Sequence, residues 1–296
     1  MDSGFRLKIF YRVKKLIKAA IAYDFDGTLA PGNMQEHSFI PKLGIRKEKF
    51  WSEASRIAKD NDMDGILAYM QLMLQKSKER GIPIRRQDFI NYGKDISLFP
   101  GVENYFDLIN GYARKQGIIL EHHIISSGLR EFIEGTSIAR HFTNIFASGF
   151  KYNENAIAEW AALAINYTNK TQYLFRINKG INNSYDNQTI NRFLPEEERP
   201  VPFPRIIFIG DGETDVPAMK MLKYQGGATI AVFNPKIRAT VKRKSQKQMC
   251  QELILHKRVD YIAQADYSEG SELVSTIKLL IDKISINYAL SKRAMK

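Results

Sequence analysis

The sequence predicts an α/β fold, a parallel sheet flanked by helices, from three observations. Short apolar runs alternate with helical patterns over most of the chain. Two of those runs end in acidic, glycine-containing clusters, Asp24-Phe25-Asp26-Gly27-Thr28 and Gly210-Asp211-Gly212-Glu213-Thr214-Asp215. Strand ends of this kind are where open parallel sheets bind ligands. Between the first run and the second lies a long stretch of helical spacing with no strand in it.

Before the first strand, Arg6, Lys8, Arg12, Lys14, Lys15 and Lys18 form an acid-free block. A second block, Lys236, Arg238, Lys242, Arg243, Lys244 and Lys247, supplies more of the formal charge of +12. The preferred reading of both is solvated faces that also attract anionic substrates. Phe5, Ile9, Val13, Leu16 and Ile17 keep helical spacing, so a basic amphipathic helix, lying on a membrane or serving as a transit peptide, is the alternative for residues 1–18. A leader segment before the first strand is a third.

Ala19 to Tyr23 is the first strand, a buried apolar run. Asp24 and Asp26 at its end, two residues apart, face the same way if the chain is still extended. At an effective dielectric of about 20, two such charges about 4 Å apart repel by roughly 4 kcal/mol. A divalent cation or protonation of one partner offsets that cost. The plain alternative is a strand-to-loop exit in which both acids are solvated.

Phe50, Trp51, Ala54, Ile57 and Ala58, then Ile66, Leu67, Met70, Met73 and Leu74, mark a helical insertion from about Asn33 to Leu98. Pro100-Gly101 returns the chain to the main domain, and Val102 to Gln116 forms a helix that stops at Gly117. The strand His122 to Ile125 follows and ends in Ser126-Ser127-Gly128, whose hydroxyls and N–H groups suit phosphate oxygens. His122 and His123 read as strand residues. Tyr152-Asn153-Glu154-Asn155, between apolar flanks, predicts a hairpin.

Lys170 opens a helix with Tyr173, Leu174 and Ile177 on one face, which places its ammonium at the mouth of the crevice. Lys179 lies at the helix's far end and suits the dipole there. Gly180 to Pro204 is a surface excursion, Arg205 to Ile209 and Ala228 to Phe233 are strands, and a short strand is expected near Asp260 to Ile262. A helix around Ser271 to Ile284 closes the pattern. If the strands before Asp24 and Asp211 share one sheet, these two acids face each other across a crevice. Oxygen-only ligands there suit Mg²⁺ better than zinc. Asp215, before Val216-Pro217, is also a good helix N-cap.

At 296 residues the chain is long enough for one large domain or two ordinary ones, and its composition, 44% hydrophobic and 26% charged, is globular. Cys250 is its one cysteine, so no intrachain disulfide forms and a cytoplasmic location is expected. No apolar stretch approaches the ~20 residues that span a bilayer.

Taken in order, these motifs resemble the haloacid dehalogenase-like hydrolase superfamily, and within it the phosphoserine-phosphatase-like branch. Asp24-x-Asp26-Gly27-Thr28 looks like its first motif, Ser126 its second, Lys170 its third and Gly210-Asp211-x-x-x-Asp215 its fourth. The resemblance implies a Rossmann-like core over residues 19–32 and 99–290, with residues 33–98 as a helical cap of the type inserted after the first motif. It implies Asp24 as a nucleophile forming an aspartyl-phosphate and Asp26 as general acid and base. Mg²⁺ would be held by the Asp24 carboxylate, the Asp26 carbonyl and Asp211, with Asp215 supporting that shell, and Ser126 and Lys170 would bind the phosphoryl group.

The expected activity is a Mg²⁺-dependent phosphomonoester hydrolase acting on a small phosphorylated metabolite. No nucleic acid or transmembrane segment is required. A phosphomutase shares the intermediate and is the nearest alternative. A non-catalytic protein binding nucleic acid or lipid through its basic segments is the alternative of another class, against which the intact acids argue.

Overall fold

A computed structural model describes residues 16–240 and 244–294. Seven strands, β1 (Ile17–Tyr23), β2 (Ile118–Leu129), β3 (Asn144–Tyr152), β4 (Ala158–Leu163), β5 (Ile206–Gly210), β6 (Ala228–Phe233) and β7 (Tyr261–Gln264), form one sheet in the order β4-β3-β2-β1-β5-β6-β7. All neighbours are parallel except β3 and β4, the hairpin expected around residues 152–155.

The apolar run before Asp24 takes the centre of the sheet because both of its faces are covered. Ala19, Ile21 and Tyr23 belong to one hydrophobic core, Ala20 and Ala22 to the other. The same alternation divides β5, with Ile207 and Ile209 on the first side and Ile206 and Phe208 on the second. A strand buried on both faces reads as a continuous apolar run, which is how these two announce themselves.

The first core is covered by α5 (Val102–Lys115) and α11 (Glu272–Ala294), the second by α7 (Lys170–Lys179), α9 (Val216–Tyr224) and α10 (Gln246–Leu255). Between β1 and α5 the chain forms α1 (Phe39–Lys42), α2 (Lys47–Asp60), α3 (Gly65–Arg80) and α4 (Arg86–Gly93), with no strand among them. Two short helices complete the set, α6 (Arg130–Glu134) after β2 and α8 (Asn187–Asn191) within the excursion from Gly180 to Pro204. That excursion is stapled from beneath by Arg176, almost wholly buried, whose guanidinium donates to the carbonyls of Asn183, Ser184 and Asp186.

The strand boundaries run past the expected ones. β1 starts at Ile17, two residues early, so Ile17 belongs to the sheet and not to an amphipathic helix; Phe5, Ile9 and Val13 lie outside the described residues. β2 extends from Ile118 to Leu129, and its pairing with β3 shifts register between Ser126 and Leu129, so the Ser-Ser-Gly segment bulges. Of the basic blocks, Lys18 pairs with Glu121 at 2.6 Å, Lys244 pairs with Glu252, and Lys247 sits over the Phe233 ring. Lys236 and Arg238 face outward, while Arg6, Lys8, Arg12, Lys14, Lys15, Lys242 and Arg243 lie outside the described residues.

Helix α4 seats on α6 with Phe89 and Tyr92 packed on Phe132 and with backbone in close contact with backbone. A Cβ on Gly93 would overlap the Phe132 carbonyl oxygen, and one on Gly135 would overlap that of Ile90. Beneath β1 runs a buried polar chain. His122 Nε2 lies 3.0 Å from Asn110 Oδ1, which can only accept, so a neutral His122 donates there and its Nδ1 accepts from Tyr23 Oη at 2.9 Å. Tyr105 Oη, 3.1 Å from Tyr23 Oη, continues the chain.

Two outcomes follow from this packing. Gly93→Ala forces α4 off α6 and lowers unfolding free energy by roughly 1–3 kcal/mol in urea titration. Burial pushes His122 down to about 3, with the neighbouring His123 and His141 adding to the shift. Above about pH 6.5 the residue is neutral whether folded or unfolded, and below it only the unfolded chain takes up the proton. Stability therefore falls by about 1.4 kcal/mol per pH unit between pH 6.5 and 3 on this account alone. Urea titrations at pH 7 and pH 5 detect this loss in the wild type, and His122→Gln shows it reduced.

Candidate active site

Tyr23, the last residue of β1, pairs with both Ile124 of β2 and Ile209 of β5, so the chain beyond these three positions lies side by side. Residues beyond these positions meet at one cavity of about 170 Å³. It is lined by Asp24, Asp26, Ser126, Ser127, Gly128 and Asp211 from the sheet side. Asp24 is buried, and its Oδ1 accepts from the Phe25 N–H at 2.7 Å while its Oδ2 meets the Lys170 ammonium at 2.9 Å. Lys170, fully buried at the start of α7, also holds Asp215 Oδ1 at 2.6 Å. Burial works against the ammonium, but the facing carboxylates of Asp215 and Asp24 outweigh it and hold the lysine's pKa above its ordinary value.

Asp24, Asp211 and Asp215 each offer a carboxylate oxygen within 4.8 Å of the others. Three carboxylates against one ammonium leave two negative charges uncompensated, the charge of one divalent cation. Burial, then Asp215 and Asp24, push Asp211 upward; burial does the same to Asp215, with Lys170 opposing. Asp215 Oδ2 is buried and has no hydrogen-bond partner. Although Asp215 occupies the N-cap position of α9, its side chain caps nothing and turns to Lys170. The capping alternative therefore falls, and charge pairing decides its orientation.

Asp26 stands apart from this trio. Its Oδ1 accepts from the Met34 N–H at 3.0 Å, and its pKa lies well above the usual carboxylate value. Burial is the larger cause and repulsion from Asp24 comes second. The turn between the two acids depends on Gly27, at φ +74°, where a Cβ would collide with Asp211 Oδ2. Asp211 is also held by Gln246, whose Nε2 donates to Oδ2 at 3.2 Å while its Oε1 accepts from the Asn234 N–H at 2.7 Å.

Of the two serines, Ser126 Oγ accepts from the Gly128 N–H at 3.1 Å, while Ser127 Oγ is buried with no partner. Lys179, at the far end of α7, donates to the carbonyls of Ile190 and Arg192, whereas Lys170 does not stand at the mouth of the crevice as expected but is buried behind Asp24 and Asp215. His122 and His123 lie within β2 and do not line the cavity.

The other wall comes from the helical insertion. Trp51 on α2, Ile66 and Tyr69 on α3, and Asn33 and Gln35 before α1 line it, and Tyr69 Oη donates to the Ser127 carbonyl at 2.7 Å. Sequence reasoning reads Trp51 as a core position of an amphipathic helix and passes over Tyr69, Gln35 and Gln246. Nothing in their spacing separates a cavity-facing residue from a core-facing one. Thr28, fully buried with an unpartnered Oγ1, lies within the first acidic motif.

A family model for "haloacid dehalogenase-like hydrolase" matches residues 21–220. An uncharacterized protein of Borreliella burgdorferi is 28% identical over 282 residues, covering 87% of this chain and 94% of its own. Among solved structures, a phosphoserine phosphatase carrying a phospho-aspartyl intermediate analogue matches 89% of this chain and 99% of its own, at 14% identity and TM-score 0.51. A probable phosphoserine phosphatase from Vibrio cholerae matches 93% of this chain and 69% of its own, at 11% identity and TM-score 0.55. The fold is thus shared with the phosphoserine-phosphatase-like branch, and with the family model spanning both acidic motifs, the chain belongs to the haloacid dehalogenase-like hydrolases.

Proposed function

We propose that the protein is a Mg²⁺-dependent phosphomonoester hydrolase that works through an aspartyl-phosphate on Asp24, with residues 33–98 as a cap over the site. One observation carries the reading: Asp24 and Asp26 line one cavity in different electrostatic states, the first paired with an ammonium, the second with its pKa raised.

Asp24 is the nucleophile in this reading. Its two polar contacts fix the carboxylate while each oxygen keeps a lone pair for attack on phosphorus. As the bond from an Asp24 oxygen to phosphorus forms, the ester P–O bond breaks and Asp26 gives its proton to the leaving oxygen. Water then attacks the phosphorus of the aspartyl-phosphate, Asp26 takes a proton from it, and phosphate and the free Asp24 carboxylate return. Ser126 and its neighbouring backbone hold the phosphoryl oxygens, and Lys170 orients Asp24 from behind.

The residues fit a hard divalent cation, being oxygen donors only, with two unbalanced negative charges and an orphaned buried oxygen on Asp215. Asp24 and Asp211, with the Asp26 carbonyl, would hold it, and Asp215 would support them. Bound there, it would neutralise charge on the phosphoryl oxygens.

Phosphate release from an aryl phosphate tests the reading. Activity falls to background in Asp24→Asn and when EDTA removes Mg²⁺; equal activity in wild type and Asp24→Asn would sink the mechanism. Asp26→Asn lowers kcat by roughly 10²–10⁴-fold on an alkyl phosphate and by less on an aryl phosphate, whose leaving oxygen needs the proton less. Lys170→Met strands two buried carboxylates and costs about 3–5 kcal/mol of unfolding free energy in EDTA, read by urea titration.

A further inference from the structure

The cavity wall opposite the acids carries no charge. Among the described residues, no lysine, arginine or histidine lines the cavity, and its charged members are Asp24, Asp26 and Asp211. Lys170, the nearest ammonium, is wholly buried behind Asp24 and Asp215 and is not part of the lining. The insertion does bring an acid and a base close by, but they are spent on each other. Glu36 accepts from Lys47 at 3.1 Å, from Asn33 at 2.8 Å and from the Trp51 indole at 2.9 Å.

What remains facing the cavity is apolar or neutral. Trp51 has its one N–H engaged by Glu36 and its ring packed edge-on against Phe50 and Tyr69, so it presents a fixed flat surface. Ile66 adds an apolar side chain. Gln35 is 2% exposed, and its Oε1 is buried with no hydrogen-bond partner. A buried amide oxygen without a donor costs free energy until something supplies one.

From this wall we infer that the leaving group is an uncharged one bearing a hydroxyl, which donates to Gln35 Oε1 while its carbon skeleton lies against Trp51 and Ile66. This rests on the phosphomonoesterase reading and narrows its substrate class. An ester carrying a carboxylate, phosphoserine included, finds no lysine, arginine or histidine on this wall, and its anionic group would be buried unpaired. Gln35 is then the residue that determines specificity.

Isosteric esters test this without any change to the protein. Glycerol 3-phosphate and 3-phosphoglycerate differ only in a terminal hydroxymethyl against a carboxylate, and kcat/KM is expected to favour the first by at least ~100-fold. O-phosphoserine is expected to fall with the second. An aryl phosphate, assayed in parallel, reports the hydrolase activity independently. Gln35→Leu is expected to lower kcat/KM for glycerol 3-phosphate at least tenfold more than for the aryl phosphate. Gln35→Arg is expected to narrow the gap between the two isosteres by at least tenfold.

If the aryl phosphate is turned over and 3-phosphoglycerate or phosphoserine comes within threefold of glycerol 3-phosphate, the inference is wrong and the hydrolase stands. If Gln35→Leu affects glycerol 3-phosphate and the aryl phosphate equally, Gln35 does not read the hydroxyl. If no ester is turned over, the aryl phosphate included, the hydrolase reading fails and takes this one with it.

Discussion

The ammonium of Lys170, buried between Asp24 and Asp215, is the contact on which the rest of the site depends. It joins the end of β1, the start of α7 and the start of α9, three points that are far apart in the chain. Burying an ion is expensive, and two carboxylates at 2.9 Å and 2.6 Å are what make it tolerable here. The exchange works in the other direction too. Asp24 and Asp215 are kept in place by a partner that cannot leave, because Lys170 has no route to water. Asp26, with no share in that ammonium's direct contacts, is left to carry a raised pKa, and so two neighbouring acids differ in character.

Much of this was legible in the chain because the strands that matter are buried on both faces. Ala19 to Tyr23 and Ile206 to Ile209 show themselves as unbroken apolar runs, and an acid follows each within two residues. The order of the motifs and the switch to helical spacing after Asn33 carried the topology. Less visible were groups whose role comes from distant contacts. Arg176 looks like any helix-surface arginine, yet it is almost wholly buried, because three carbonyls of the following excursion need donors. Gln246 sits inside a basic run that reads as solvated surface, and only the return of α10 to the sheet brings it to Asp211. Trp51 and Tyr69 keep ordinary core spacing, and which way they face depends on how α2 and α3 settle over the sheet.

The polar chain from Tyr105 through Tyr23 to His122 and Asn110 shows how the core supports the site from below. Tyr23 immediately precedes Asp24, so fixing its hydroxyl fixes the last strand residue before the acids. Tyr267, packed edge-on against Tyr105, donates to the Thr28 carbonyl and secures the other end of the same loop. The acidic loop is therefore held at both ends by tyrosines, while its middle turns on Gly27.

The seating of α4 on α6 separates two tasks within the helical insertion. Gly93 and Gly135 bring backbone against backbone, and α4 contributes no side chain to the cavity, whose wall is drawn from α2, α3 and the segment before α1. The close backbone joint and most of the lining thus reside in different parts of the sequence. Drift in the lining residues can retune what is recognised without loosening the joint, and drift at the joint is barred by the absence of room. Such a division makes this insertion an interchangeable fitting: a descendant chain can change the side chains that α2 and α3 present to the cavity and keep its acidic floor unaltered.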